Sequence, residues 1–555
     1  MTTQALRQTG KDRNSHPPLL CDVLLQAAHN NPAADALIFP DQRQTFGELY
    51  EAALAHARSL IALGVKKGDH VGLLMPTCHD FVSLMFGISL AGAVVVPINA
   101  RFRASELGYV INNGDLVAVI TTDIIQDHVN FVERLGEAFP DLGKSSDALN
   151  LELPQAPKLK SIVVMGADHY NSLLNRTEFA ALADIADPAE IERRHQEISP
   201  SDNAIMLFTS GTTANPKGCP ITNEALVGNC IALAERYELD REDSFWAPLP
   251  MFHIAAILPM ISIFTVGGRY TTMVHFEAGL ALRMLEEEKV TAAYPCFATI
   301  MLDLVNHPDF SKTDLSRVRI MNSNLAMSPK EVTDIILRAM PQTIQVGTYG
   351  MTESAGTATT SLLTDPEDTR TSLCGVPLPG VEIMIADPAS GKEVPTGERG
   401  EILLRGYSIV REYYKDEEKT TESISPDGWF HTGDIGSVNA DGQLMFHGRL
   451  KDMLKVGGEN VAAAEIESLL QKHPAVKLAQ VVGIPDPRLV EVPAAFIELK
   501  PGSELDEEGL LSFCKGEISS FKIPRHIRFL KEWPMSTSKI QKFKLRENLT
   551  KELGL

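Results

Sequence analysis

Apolar positions recur at helical spacing from 46 to about 63, behind a Thr45/Glu48 pair at the spacing of a capping box, and stop at Gly64. The turn Lys66-Lys67-Gly68-Asp69 then leads into a short apolar run at 71–74. The same change of period predicts helix then strand at 81–91 and 94–98, at 106–112 and 117–121, and at 280–289 and 292–295. Short strands alternating with helices imply α/β layers on largely parallel sheets. From Asp141 to Pro200 the chain turns polar and acidic, which predicts a loop-rich surface excursion without assigned chemistry. Beyond Leu373, runs at 381–386, 400–404 and 442–447 separated by Pro379-Gly380, Pro395-Thr396-Gly397 and Asp441-Gly442 predict a β-rich subdomain. Helix–strand alternation returns at 464–472, 476–484, 494–499 and 507–519, as in a small α+β domain. The charged stretch Gly448-Arg449-Leu450-Lys451-Asp452 marks the expected boundary, giving a large N-terminal domain 1–448 and a small C-terminal domain 449–555.

Composition narrows the function classes. With 51 basic against 72 acidic side chains the formal charge is −21, which disfavours a nucleic-acid partner. Residues 81–98 carry no charge, but Gly87, Gly92 and Pro97 interrupt them, so they read as a buried helix and strand and not as a membrane span. The opening 1–18 is polar and basic-leaning, without the pattern of a leader, and the last residues match no targeting signal. Seven scattered cysteines form no CxxC pair, so neither a disulfide framework nor a metal site is indicated and the cytoplasm is the expected compartment. A homodimer is left open.

The candidate chemistry begins with Thr209-Ser210-Gly211-Thr212-Thr213-Ala214-Asn215-Pro216-Lys217-Gly218, between an apolar run and a helix-like one. Backbone N–H groups, hydroxyls and one mobile cation at this density suit a polyphosphate. The string is not a Walker A loop, because no Gly-Lys-Ser/Thr triplet follows a four-residue spacer. Four further strings follow in order: Tyr349-Gly350-Met351-Thr352-Glu353-Ser354, Gly428-Trp429-Phe430-His431-Thr432-Gly433-Asp434, the segment from Gly448 through Gly457-Gly458-Glu459-Asn460-Val461, and Pro534-Met535-Ser536-Thr537-Ser538-Lys539. Singly, each has a bland reading as a turn, a linker or a solvated lysine. Together, in this order, they resemble the adenylate-forming superfamily of acyl-CoA synthetases, luciferases and peptide-synthetase adenylation domains, most closely its carboxylate–CoA ligases.

The resemblance spans about 45 to 546 and implies ATP, coenzyme A and a carboxylic acid as substrates, with Mg²⁺ at Glu353. It assigns Thr209, Ser210, Gly211, Thr212, Thr213 and Lys217 to the phosphates, Tyr349 to adenine, Thr352 to the α-phosphate, Asp434 to the ribose hydroxyls and Arg449 to the nucleotide. Lys451 falls on the interdomain pivot, and Gly457 and Gly458 fall where a side chain would block an approaching thiol. Lys539 falls on the adenylation lysine that bridges carboxylate and α-phosphate.

For the acid, the resemblance implies a pocket drawing on His253, Ala256, Phe297, Asn322, Ser323 and Asn324, with His253 at an aromatic gate beside the chemistry. The apolar run Ile254-Ala255-Ala256-Ile257 offers no carboxylate to a substrate ammonium, which disfavours a free amino acid. Asn322-Ser323-Asn324 stands where relatives carry smaller residues, favouring a compact or oxygenated acid (alicyclic, aromatic or short acyl) over a long straight fatty acid. The same asparagines could simply hydrogen-bond within the protein. Further departures are Ala214 and Ser538 in place of glycines and Ala463 in place of a proline. Two other readings stay open: a ligase that loads a separate carrier protein, and a non-catalytic adenylate-binding protein.

Overall fold

In the computed structural model, which describes residues 19–145, 147–166, 169–209, 216–328, 330–456, 459–486, 489–515, 517–518, 520–535 and 540–555, the helix–strand alternation builds two largely parallel sheets. The first runs, in spatial order, Leu174–Asn175, Ser161–Val164, Leu116–Thr121, His70–Leu74, Val94–Pro97, Asn203–Thr209 and Lys217–Thr222. Its neighbours are parallel except the last pair, an antiparallel hairpin at the edge. The second runs Ile344–Gln345, Ile320–Met321, Ala292–Ala293, Ser244–Trp246, Arg269–Thr271, Asp35–Ile38 and Arg43–Thr45, again with only its last pair antiparallel.

Local chemistry explains the helices. Phe46–Ala62 starts as its capping box predicts: Thr45 Oγ1 accepts the Glu48 N–H at 3.2 Å, and Glu48 accepts the Thr45 N–H at 2.9 Å. The uncharged stretch forms helix His79–Leu90 and strand Val94–Pro97, and nearly every side chain of the helix is buried. A helix apolar on all sides needs a partner on all sides. Here the protein core supplies it, and among the described residues no helix is long and apolar enough to cross a membrane.

One expectation is overturned. The polar region 141–200 is not only a surface excursion, because Ser161–Val164 is a fully buried strand paired in parallel with Leu116–Thr121. Four residues of alternating-face strand inside a polar neighbourhood carry too little periodic signal to stand out.

The described residues form two compact units, one comprising residues up to 383 with 404–430, the other 384–403 with 431–555. The first holds both sheets and a small antiparallel sheet of Thr348–Tyr349, Thr359–Thr360 and Val376–Pro377. The second contains the antiparallel pair Phe430–Val438 and Leu444–Arg449, whose first residue still counts with the first unit. It also contains a sheet of Glu459–Ala462, Met453–Val456, Val490–Leu499, Val476–Asp486 and His526–Phe529. Helices Ala463–Gln471, Glu507–Cys514 and Lys542–Leu553 pack with it. The residues at the expected boundary, Arg449 to Asp452, lie inside this second unit.

Packing sets an acid sensitivity. Burial pushes the His56 imidazole, stacked on Phe179 with ring centroids 6.0 Å apart, down from 6.5 to about 4. His70 and His79 shift the same way for the same first reason. A base whose folded pKa lies below its unfolded one is protonated preferentially in the unfolded chain, so its contribution is intact above pH 6.5 and is lost as pH falls toward 4. The melting temperature of the wild-type protein should therefore drop across that window. His56→Gln, which cannot take up the proton, should drop less steeply, and parallel melting curves for the two proteins would refute the assignment to His56.

Candidate functional site

In the first unit, Lys217, Tyr413 and Glu353 meet near the loop end of the hairpin on the first sheet. Thr209 ends Asn203–Thr209 and lies directly across from Lys217, which begins Lys217–Thr222. The pairing brings the two ends of the phosphate-loop candidate together, while Ser210, Gly211, Thr212 and Thr213 lie outside the described residues. The Lys217 ammonium stands 5.7 Å from the centroid of the Tyr413 ring, a cation–π distance. Desolvation first, and the nearby Lys419 charge second, lower its pKa from the usual lysine value.

The string around Glu353 folds as a chain that doubles back on itself. Tyr349 closes strand Thr348–Tyr349 and is 3% exposed. The carbonyl of Met351 accepts from Ser354 N and from Gly356 N, each at 3.1 Å, and Met351 N donates to Ser354 Oγ at 3.0 Å. Ala355 takes a left-handed φ of 55°, and Asn229 from helix Asn223–Arg236 anchors the far side by donating to the Thr357 carbonyl at 2.6 Å. The crossing is so close that a Cβ on Gly350 would stand 1.8 Å from the Gly356 carbonyl oxygen. Thr352 and Glu353 are thus held half-buried at the apex.

Glu353 meets the segment 410–414. Its backbone carbonyl accepts from Val410 N at 2.9 Å, and its Oε1 accepts the Tyr413 hydroxyl at 2.9 Å. Burial, with the Glu353 charge beside it, raises the Tyr413 pKa far above the usual phenol range, so the hydroxyl remains a donor. Burial and Glu353 likewise push the fully buried Cys219 thiol well up. A carboxylate with one oxygen accepting from a neutral donor still offers its second, hard oxygen to a cation. The donor chemistry therefore fits Mg²⁺ at Glu353.

The residues expected around the acid are placed unequally. His253 is exposed, at the start of helix Ile254–Thr265, with its ring 4.7 Å from that of Phe252. Phe297 is 54% exposed at the start of Ala298–Val305. Ala256 is fully buried in the core, one turn along from His253. Asn322 and Ser323 are buried at the end of strand Ile320–Met321 with protein partners: Asn322 Nδ2 donates to Thr348 Oγ1 at 2.8 Å and to Tyr237 Oη at 3.1 Å, and Ser323 Oγ donates to Gln345 Oε1 at 3.0 Å. Asn324 adopts a left-handed φ of 55°, the conformation in which asparagine is tolerated best after glycine.

In the second unit, Asp434 on Phe430–Val438 pairs in register with Arg449 on Leu444–Arg449, and Arg449 Nε reaches Asp434 Oδ1 at 3.1 Å. Asp434 is 3% exposed. The Thr-Gly-Asp turn before it needs glycine, because Gly433 has φ 69°. Glu401 braces that turn, accepting Gly433 N at 3.0 Å through Oε1 and facing His431 Nδ1 at 3.0 Å through Oε2. The backbone of Lys451 lies in the 3₁₀ turn Leu450–Asp452 that follows Arg449. Gly457, Gly458 and Lys539 lie outside the described residues. The residues flanking the lysine motif, Met535 and Ile540, form an antiparallel bridge. Just beyond, Lys542 Nζ reaches Glu467 at 2.7 Å and Asp452 at 3.7 Å, tying the closing helix to the turn that carries Lys451.

Tyr413, Cys219, Asn229 and Glu401 escape a reading of the chain by motif. Each acts on a motif residue from another segment: Tyr413 lies 60 residues from its partner Glu353, and Glu401 lies 32 from Gly433. The one available signal is the pair Tyr413-Tyr414, two large aromatics between the strand-like runs at 400–404 and 442–447.

Comparison with known proteins identifies the family. Residues 24–414 match the AMP-binding enzyme family, and residues 465–539 match the AMP-binding enzyme C-terminal domain. The chain is 32% identical over 554 residues to a mitochondrial medium-chain acyl-CoA ligase of Danio rerio, covering 98% of this chain and 90% of that protein. It is 30% identical over 534 residues to a (methyl-dioxo-octahydroindenyl)propanoyl:CoA ligase of Rhodococcus jostii, covering 96% and 99%. Among solved structures, the anthranilate CoA ligase AuaEII in complex with anthranoyl-AMP aligns over 100% of both chains with a TM-score of 0.80 and 26% identity.

Proposed function

This chain belongs to the AMP-binding enzyme family and is an AMP-forming carboxylate–CoA ligase, and from that premise we propose that its acid is compact or oxygenated (alicyclic, aromatic or short acyl) and not a long straight-chain fatty acid. The observation that carries the proposal is the rigid polar string at 322–324. Asn322 and Ser323 are locked by Tyr237, Thr348 and Gln345, so their bulk cannot swing aside to open a long apolar tunnel. Names among the relatives are divided: a fused-ring propanoate in one and anthranilate in another agree with it, while a medium-chain acyl group in a third does not.

The residue roles follow from the chemistry. A carboxylate is a poor acyl donor until its oxygen becomes part of a good leaving group, and attack on the α-phosphate of ATP does this, releasing pyrophosphate. The step is mostly positioning and charge stabilisation. Residues Thr209 to Thr213 and Lys217 hold the phosphates, Thr352 the α-phosphate and Tyr349 the adenine, while His253, Ala256, Phe297, Asn322, Ser323 and Asn324 surround the acid. Glu353 would hold Mg²⁺, which when bound would offset phosphate charge. Asp434 takes the ribose hydroxyls, and Arg449, 3.1 Å from its carboxylate, takes the nucleotide. Lys539 bridges carboxylate and α-phosphate. The C-terminal domain 449–555 then turns about Lys451, removing Lys539 and admitting the CoA thiol past Gly457 and Gly458. The reading places the enzyme in the cytoplasm, where seven thiols stay reduced.

The test is pyrophosphate release across a panel of carboxylic acids, with and without CoA, with thioester product identified by mass. A cyclic or short oxygenated acid is expected to exceed a long straight-chain acid in kcat/KM by at least about tenfold. The reverse order would overturn the pocket reading, and pyrophosphate release without a CoA thioester would move the acceptor to a carrier protein.

A further inference from the structure

We infer that Tyr413 is a two-sided positioning residue, its hydroxyl aiming the Glu353 carboxylate and its ring face aiming the Lys217 ammonium. The inference rests on the proposed roles of Glu353 and Lys217 and adds what sets their geometry.

Tyr413 is 7% exposed, and its hydroxyl donates to Glu353 Oε1 at 2.9 Å while Lys217 Nζ stands 5.7 Å from its ring centroid. One rigid side chain thus touches two ionic groups carried by different segments, the strand Lys217–Thr222 and the turn Thr352–Ser354. A carboxylate bound by one oxygen is restricted in rotation, so the other oxygen presents a fixed direction to a cation. An ammonium on a flexible four-carbon stem gains direction from an aromatic face in the same way.

The tyrosine is itself held on both sides along the chain. Tyr413 N donates to Thr420 Oγ1 at 2.9 Å, Val410 N donates to the Glu353 carbonyl at 2.9 Å, and Tyr414 N donates to the Gly218 carbonyl at 2.8 Å. The Tyr414 hydroxyl donates to Asp115 Oδ2 at 2.9 Å, an oxygen that Lys158 and Lys415 also reach. The segment 410–414 therefore staples the edge strand bearing Lys217 to the turn bearing Glu353. Gly218 allows the close approach, since a Cβ there would meet Tyr414 Cβ and Met206 Sδ at 3.1 Å each.

The two sides can be separated by substitution. Tyr413→Phe keeps the ring and removes the hydroxyl, so the Mg²⁺ concentration for half-maximal pyrophosphate release should rise about tenfold, as for loss of a hydrogen bond to a charged group, with KM for ATP at saturating Mg²⁺ unchanged. Mn²⁺ binding to the enzyme–ATP complex, read by electron paramagnetic resonance without turnover, should weaken by the same factor. Tyr413→Leu removes the ring too and should also raise KM for ATP at saturating Mg²⁺. Tyr413→His, which keeps a ring N–H donor, should recover part of the Mg²⁺ affinity, and it serves as the folded comparator if the Phe variant is unstable. Glu353→Gln run alongside separates the two levels. If Glu353→Gln shifts the metal dependence and neither Phe nor His at 413 does, the positioning inference is wrong. If Glu353→Gln also leaves Mn²⁺ binding unchanged, the metal-ligand reading beneath it fails first.

Discussion

Lys539→Ala should lose carboxylate-dependent pyrophosphate release by roughly 10²- to 10³-fold, the scale seen when one preorganised charge-stabilising group is removed. Charge builds on the carboxylate oxygen, the α-phosphate and the departing pyrophosphate in a single in-line step, and a cation placed between them lowers that barrier without reorganising at the moment of reaction. ATP should still bind, because Lys217, Asp434, Arg449 and the Tyr349–Glu353 turn are untouched. Conversion of a supplied acyl-adenylate to the CoA thioester should also persist, since the proposed domain rotation carries the lysine away for that half-reaction. Isothermal titration with ATP, a pyrophosphate assay and a thioester assay on synthetic adenylate read the three separately. Undiminished pyrophosphate release would remove Lys539 from its role; loss of all three would indicate a structural defect instead.

Gly350→Ala should be as damaging for a different reason. The new Cβ would stand 1.8 Å from the Gly356 carbonyl oxygen and 2.9 Å from Thr357 Cα, both backbone atoms that no rotamer change can move. The turn must open by more than 1 Å, and Thr352 and Glu353 sit on it. Misplacement on that scale costs about 10²-fold in a reaction that depends on positioning, with about 1–3 kcal/mol of stability lost to overpacking. A matched control is Gly391→Ala, where φ is 67° but no atom lies within 4 Å of the added Cβ. That variant should lose only about 1 kcal/mol and keep full activity. Equal behaviour of the two variants in melting temperature and turnover would show that the crossing at Gly350 is not tight in solution.

The sequence by itself determined the class of chemistry and most of the scaffold. Ordered strings of glycine, hydroxyl, aspartate and lysine pointed to adenylate formation because each step needs a particular donor or acceptor type at a loop. The capping box at Thr45 and the uncharged helix His79–Leu90 were legible because helix and strand periods are local properties, repeating within a few residues. Tertiary structure decided the rest. It drew Ser161–Val164 out of a polar region into the first sheet, since a neighbour already exposing a parallel edge rewards burial that four residues cannot advertise. It satisfied Asn322 with Tyr237 and Thr348, 85 and 26 residues away, and Glu353 with Tyr413, 60 away. Such partners carry no spacing rule, because they meet only where separate segments cross. The identity of a reacting side chain is written at its own position, whereas the direction in which it points depends on residues that the chain brings back from elsewhere.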